Sequence, residues 1–77
     1  MQVAMATLID LNVGQMARIT EINDAEIAIQ AMRMGIIPGA QVMCMAQIPA
    51  GPTVIQHGGM ELAIGRDISA GIEVETL

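Results

Sequence analysis

Residues 23–39 of the chain read NDAEIAIQAMRMGIIPG and contain its clearest helix signals. Asn23 and Glu26 stand three residues apart, which is the spacing of a capping box at a helix N-terminus. After them, apolar residues recur at helical intervals and predict one buried face. That face consists of Ile27, Ala31 and Met34, with Ala28 and Met32 beside it. The segment therefore predicts a helix over Asp24–Met34.

The end of this helix is indicated by Gly35 and Pro38. Glycine readily adopts the left-handed conformation that follows many helices, and proline cannot continue a helix. Outward from the helix, β-branched residues and alternating patterns predict strands on both sides. The predicted strands cover residues 15–22, 41–48, 53–57, 60–64 and 72–75, with short helical turns after Thr7 and at Arg66–Ala70. The chain is therefore predicted to be mainly β, with one helix inserted after the first long strand.

Gly58 and Gly59 separate two of these strands, and a two-residue Gly-Gly turn predicts a tight β-hairpin. Its register pairs His57 with Met60, Gln56 with Glu61, Ile55 with Leu62 and Thr53 with Ile64. Because side chains alternate across a strand, Gln56 and Glu61 share one face and the apolar pairs lie on the other. About five short strands and one helix predict a small, partly open β-barrel, with a single domain over residues 1–77.

The charge of the chain excludes nucleic acid as a partner. Three arginines, no lysine and eight acidic residues give a formal net charge of −5, whereas phosphate binding depends on clustered lysine and arginine. The 77 residues include no Phe, Tyr or Trp, so no aromatic ring is available to stack on a base. The same charge balance disfavours binding to an anionic membrane surface.

An apolar stretch over residues 27–56 carries one charge, Arg33. Gly and Pro residues divide it into pieces shorter than the ~20 residues that a membrane-spanning helix needs. The N-terminus lacks the basic start and the long apolar centre of a signal peptide. A single cysteine, Cys44, excludes an intramolecular disulfide. These features predict a soluble, cytoplasmic protein without direct membrane insertion.

Cys44 and His57 are the strongest candidate metal ligands in the sequence. A structural zinc site takes four ligands, mostly Cys and His, and the hairpin register places Glu61 on the face opposite His57. The sequence therefore predicts no metal site in a monomer, with Fe²⁺ or Zn²⁺ held weakly or between two chains. The competing interpretation makes Cys44 a small core residue and His57 a residue of the barrel rim. The methionines follow no copper-binding spacing, and the spacings Met32/Met34 and Met43/Met45 are typical of core faces.

No arrangement of side chains indicates an enzyme. A nucleophile needs a neighbouring base and an orienting group, and the one His, one Cys and one Ser stand in no catalytic motif. Glu73 and Glu75 share a strand face by their spacing, which is typical of a solvated side. The glycines match neither a P-loop nor a dinucleotide-binding fingerprint. Docking through a strand edge or through an apolar Met/Ile patch is the mode of action that the sequence leaves open.

Several short motifs occur in a fixed order along the chain. They are Leu8-x-x-Leu11-x-x-Gly14, then MGIIPG at residues 34–39, MELAIGR at residues 60–66, and Ile72-x-Val74. In this order the chain resembles the FeoA family, small cytoplasmic proteins of bacterial ferrous iron uptake. The resemblance covers residues 7–76, and its most specific parts are the MGIIPG segment and the Leu-Ala-Ile strand.

The resemblance implies an SH3-like barrel and a non-enzymatic accessory role. The implied partner is a membrane ferrous iron transporter that carries a cytoplasmic GTPase domain. Similar domains form the C-terminal part of iron-dependent repressors, so a metal-responsive regulatory module is the alternative. Gly65 stands at a position that is commonly basic in the family, and no basic contact surface is expected there. The sequence leaves the oligomeric state open, including a homo-oligomer.

The surface that contacts the partner is predicted at the helix end and in the turn after it. It comprises Met32, Met34, Ile36 and Ile37. Pro38 and Gly39 hold this turn in one shape, which reduces the entropy lost on docking. The unbranched side chain of methionine adapts to the shape of a partner. The competing interpretation places all four apolar residues in the core.

Overall fold

Residues 5–77 are described by a computed structural model, and their strands form one antiparallel sheet. The strands are β1 (Met5–Thr7), β2 (Met16–Ile22), β3 (Gln41–Gln47), β4 (Thr53–His57), β5 (Met60–Ile64) and β6 (Ile72–Thr76). A 3-10 turn, Leu8–Asp10, follows β1, and the two helices are α1 (Ala25–Arg33) and α2 (Arg66–Ala70). Neither helix of this described part is long and apolar enough to cross a membrane.

The strand order across the sheet is β1-β6-β2-β3-β4-β5. Every neighbouring pair is antiparallel, and β1 and β5 form the two open edges. This arrangement confirms the predicted mainly β, partly open SH3-like barrel with one main helix after β2. Over residues 5–77 the sheet has six strands, one more than the five that the sequence patterns indicate. The missed strand, β1, is three residues long and pairs with β6 at the other end of the chain, so no local pattern indicates it.

One face of the sheet and the inner side of α1 enclose the hydrophobic core. The fully buried apolar residues are Leu8, Leu11, Ala17, Ile19, Ala31, Ile36, Val42, Cys44, Ile55, Ile64, Ile72 and Val74. The core prediction for Met43 and Met45 is wrong. Val42 and Cys44 alternate with them and occupy the inner face, so Met43 and Met45 lie on the outer face, where Met45 is exposed. A bulge follows between Cys44 and Ala46.

The hairpin of β4 and β5 has the predicted register over its whole length. Gly58 and Gly59 both have positive φ, at 56° and 83°, which is the requirement of a type I′ turn. Glycine adopts these angles without steric cost, and the twist of the turn matches that of the strands. His57 and Met60 therefore flank the turn as direct cross-strand partners.

α1 begins one residue later than the predicted capping box requires. The N-cap is Asp24, whose carboxylate accepts hydrogen bonds from the backbone N–H groups of Glu26 (2.8 Å) and Ile27 (3.1 Å). The capping role predicted for Asn23 is wrong, since its side-chain amide donates to the carboxylate of Glu73 instead. A carboxylate at the N-cap satisfies two free N–H groups and interacts favourably with the positive end of the helix dipole.

Gln47 joins the end of β3 to the turn that follows β1. Its side-chain amide donates to the carbonyl oxygens of Leu8 (2.8 Å) and Leu11 (2.9 Å). Its Oε1 accepts a hydrogen bond from the hydroxyl of Thr53 (2.8 Å), which is fully buried. One side chain therefore satisfies three interior polar groups, as buried polar groups require.

Replacing Gln47 with leucine is expected to destabilise the protein by about 1–3 kcal/mol, because the Thr53 hydroxyl and two carbonyl oxygens lose their partner. Gln41→Leu is the matched control on the same strand, since the Gln41 side chain is exposed. It should change the free energy of unfolding by less than about 0.5 kcal/mol. Chemical denaturation followed by far-UV circular dichroism measures both variants. Equal losses in the two would contradict the role assigned to Gln47.

Candidate interaction surface

α1 is apolar on two sides. Its inner side packs against the core through the predicted residues Ile27, Ala31 and Met34. Its outer side carries Ile29 and Met32, whose exposed fractions are 48% and 59%. These two residues stand three positions apart and are neighbours on the helix surface. Because the outer side of a surface helix is normally polar, this apolar pair marks a candidate contact surface.

The helix ends in a Schellman motif around Gly35. The backbone N–H of Ile36 donates to the carbonyl oxygen of Ala31 (2.9 Å), and the N–H of Gly35 donates to that of Met32 (3.0 Å). Gly35 has a φ of 79°, which confirms the left-handed conformation predicted for it. The motif carries Ile36 back into the core cluster that contains Ala31, where both side chains are fully buried.

A type II β-turn follows directly at residues 37–40. The N–H of Ala40 donates to the carbonyl oxygen of Ile37 (3.0 Å), and Gly39 has the positive φ (94°) that this turn requires after Pro38. The N–H of Gly39 also donates to the carbonyl oxygen of Ile19 (2.8 Å), which ties the turn to β2. Ile37 is held at the first position of the turn with 49% of its side chain exposed.

The structure divides the predicted contact surface into two parts. Met32 and Ile37 are exposed, whereas Ile36 is fully buried and Met34 packs against the core. The contact role predicted for Ile36 is therefore wrong, because its side chain is inaccessible. The sequence reasoning missed Ile29, although an apolar residue one turn before Met32 was an available signal. We refer to the exposed set, Ile29, Met32 and Ile37, as the helix patch.

The tip of the β4–β5 hairpin lies beside the end of α1. The His57 ring is so close to Gly35 that a Cβ placed on this glycine would lie 3.5 Å from Nε2. The Nδ1 atom of His57 is 3.1 Å from the carbonyl oxygen of Gln41, so the imidazole links the hairpin to β3 as well. Met60, the cross-strand partner of His57, is exposed at this tip. The hairpin tip therefore presents another apolar side chain beside the helix end.

Gly35→Val is expected to destabilise the fold by ~1 kcal/mol or more. A β-branched residue is strained at a φ of 79°, whereas its Cβ would make only an ordinary van der Waals contact with the His57 ring. Gly35→Asn is the matched control, because asparagine tolerates the left-handed conformation and should lose less stability. Thermal unfolding followed by circular dichroism compares the two. An unchanged melting temperature for Gly35→Val would show that the assignment of the helix cap is incorrect.

Cys44 lies in the core. Its side chain is fully buried, and Sγ is 3.9 Å from the carbonyl oxygen of Leu11 and 3.8 Å from that of Ala46. Burial raises the pKa of the Cys44 thiol, which disfavours the thiolate form that binds metals. Across residues 5–77, no three His, Cys, Asp or Glu side chains group together to hold a metal ion. His57 and Cys44 therefore have no third ligand of these types in the described part of the chain.

A monomer is expected to bind Fe²⁺ or Zn²⁺ only weakly, because a buried thiol and one imidazole do not complete a tetrahedral site. Isothermal titration calorimetry measures this on a sample shown to be monomeric by analytical ultracentrifugation. His57→Ala is the comparison variant, because a site shared between two chains would use this partly exposed imidazole. Tight one-to-one binding by the monomer would contradict the prediction.

The match to known families covers nearly the whole chain. The family model described as the FeoA domain matches residues 6–76. The chain belongs to the FeoA family. This FeoA-family chain is 25% identical to a solved iron uptake regulatory protein (FeoA), with a TM-score of 0.89 over 96% of this chain and 100% of that one. It is 27% identical to the FeoA protein from Chlorobium tepidum, with a TM-score of 0.80 over 94% of this chain and 70% of that one. No curated protein matches it.

Longer regulators contain the same fold. The FeoA-family chain is 18% identical to a manganese-dependent transcriptional repressor, with a TM-score of 0.87 over 100% of this chain and 44% of that one. At this identity the likeness is one of fold alone. The barrel that supports the helix patch in this FeoA-family chain therefore also occurs as part of a larger protein.

Proposed function

We propose that this protein is a non-enzymatic accessory protein of ferrous iron uptake, which docks onto the cytoplasmic, GTPase-bearing part of a ferrous iron transporter. The observation that carries the proposal is the helix patch, in which Ile29, Met32 and Ile37 leave about half of their side chains in solvent. Membership of the FeoA family supports the connection with iron uptake. The proposal assigns no catalytic step to the chain.

The helix patch has the properties of a docking surface. Its backbone is held by the Schellman motif at Gly35 and by the type II turn over residues 37–40. A surface whose backbone is already fixed loses less conformational entropy when the partner binds. Met32 adds a flexible, polarisable side chain that adapts to the shape of the partner. Burying three large apolar side chains then supplies the driving force for association.

The charge of the chain indicates the kind of surface that the partner presents. With a net charge of −5, the protein associates faster with a basic surface than with a neutral one, and added salt slows this association. Arg33, in the last turn of α1, is next to Met32 in sequence and is the exception, because it places one positive charge beside the helix patch. A partner surface with an apolar centre and a mainly basic rim therefore fits the proposal best.

Ile37→Asp and Ile29→Asp are expected to weaken binding to the cytoplasmic domain of the transporter by about tenfold or more, because each places a charge in the apolar contact. Val13→Asp is the matched control. Val13 is an equally apolar residue with 66% exposure, located before β2 rather than on α1. All three variants change the net charge equally, and circular dichroism confirms that each is folded. Biolayer interferometry with the immobilised domain measures the affinities.

Undiminished affinity in folded Ile37→Asp and Ile29→Asp variants would remove the helix patch as the docking surface. An equal loss in Val13→Asp would show that charge alone, rather than the location of the substitution, weakens binding.

The second candidate function is a metal-responsive regulatory module like the C-terminal part of iron-dependent repressors. It is favoured by the fold likeness to the manganese-dependent repressor, which extends over the whole of this chain. The two functions differ in their dependence on metal. Docking through the helix patch proceeds without added metal, whereas a regulatory module changes its binding when Fe²⁺ or Mn²⁺ is added. Repeating the binding measurement with and without these ions separates them.

A further inference from the structure

β5 is an edge strand whose outer side is open. In residues 5–77 it pairs only with β4, and its register with β4 runs without a bulge from Met60 to Ile64. Natural proteins protect such edges with proline, charged side chains or a bulge. β5 (MELAI) has no proline and no bulge, and Glu61 is its one charged residue. The Glu61 and Ala63 side chains are both exposed. The edge is therefore open to pairing with another strand.

The hairpin turn determines which backbone groups of β5 face outward. In the type I′ turn, the N–H of Met60 is directed to the carbonyl oxygen of His57, so this pair is hydrogen-bonded. Hydrogen-bonded and non-hydrogen-bonded pairs alternate along an antiparallel ladder. Leu62 and Ile64 therefore also bond to β4. Glu61 and Ala63 direct their N–H and C=O groups to the open edge.

We propose that this edge pairs with β5 of a second copy of the chain, in an antiparallel register centred on Leu62. Glu61 then lies opposite Ala63 of the second copy, and Ala63 lies opposite its Glu61. Both are hydrogen-bonded pairs formed by outward-facing groups, so the two copies exchange four backbone hydrogen bonds. Met60 lies opposite Ile64, and all five residues of the strand are paired.

The sequence of β5 selects this register over its neighbours. A register centred on Glu61 would place two like charges directly opposite each other, which is unfavourable. A register centred on Ala63 would pair Glu61 with Gly65, outside the strand. The Leu62-centred register separates the two glutamates and places Leu62 of one copy opposite Leu62 of the other. Because β5 can pair with another β5 without opposing like charges, a second copy of the chain is the partner that this edge favours. The resulting dimer has two-fold symmetry, which is the most common symmetry among homo-oligomers.

Amide exchange tests the proposed contact directly. In NMR spectra of the full chain, the amide protons of Glu61 and Ala63 should exchange more slowly as the protein concentration rises. The amide of Gln41, outside the edge, serves as the reference. Analytical ultracentrifugation should show a monomer–dimer equilibrium over the same concentrations. Because both copies carry a net charge of −5, added salt should strengthen the dimer.

Substitutions at Ala63 test the register. Ala63→Glu places two new carboxylates opposite the two Glu61 side chains and should weaken the dimer roughly 2- to 30-fold. Ala63→Lys forms two opposite-charge pairs there and should strengthen it by a similar factor. Ala70→Glu and Ala70→Lys, at an exposed position on α2, are the matched controls for net charge. Circular dichroism confirms that each variant is folded.

Three results would overturn the proposal. The first is a monomer at every concentration, with unchanged exchange at Glu61 and Ala63. The second is a dimer whose affinity follows net charge alone, with equal effects at positions 63 and 70. The third is a dimer that persists unchanged in Ala63→Pro, which removes an outward N–H at a site where an edge strand tolerates proline. This test needs no transporter, so its outcome is independent of the proposed docking function.

Discussion

The left-handed turn at Gly35 determines how this small domain distributes its apolar residues. The hydrogen bond from the Ile36 N–H to the Ala31 carbonyl oxygen (2.9 Å) ends α1 and directs the next residue inward. Two adjacent isoleucines then occupy opposite environments, with Ile36 fully buried and Ile37 about half exposed. A chain of this length has a small core, which encloses only part of its apolar residues. The turn therefore supplies the core and the exposed surface from one short segment.

The exposed apolar surfaces of this chain consist of residues that the core does not include. Strand alternation places Met43 and Met45 outside the barrel, and helix periodicity places Ile29 and Met32 on the outer side of α1. The core contains no aromatic ring and is filled by aliphatic side chains and one thiol. Because Gln47 and Thr53 satisfy each other and the nearby carbonyl groups, the interior accommodates a polar connection without an unpaired group at that point.

Features encoded by local chemistry were predictable from the sequence. Two consecutive glycines define the hairpin turn, and the whole β4–β5 register follows from it. Gly35 and the helical spacing of Ile27, Ala31 and Met34 place α1 correctly to within one residue at each end. The MGIIPG segment, with its two glycines of positive φ, also carries the resemblance to the family that the chain belongs to.

Features that depend on distant contacts were not predictable. β1 exists because β6 pairs with it, and Asn23 leaves the cap because Glu73, fifty residues later, accepts from its amide. The bulge at Met45 depends on the pairing of β3 with β4 and has no marker in the sequence of β3. The candidate surface was only partly predictable, because periodicity locates the helix end but does not show which of two adjacent isoleucines the turn buries.

The position of β6 between β1 and β2 has a consequence for the order of folding. Among the six strands it is the last to be synthesised, yet it occupies an interior position in the sheet. Until residues 72–76 leave the ribosome, β1 lacks β6, its partner among the described strands, and β2 can pair with β3 but not with β6. The meander of β2, β3, β4 and β5 can form first, since its contacts are closer in sequence and close with a smaller loss of entropy. The barrel of the nascent chain therefore stays incomplete until β6 has been synthesised.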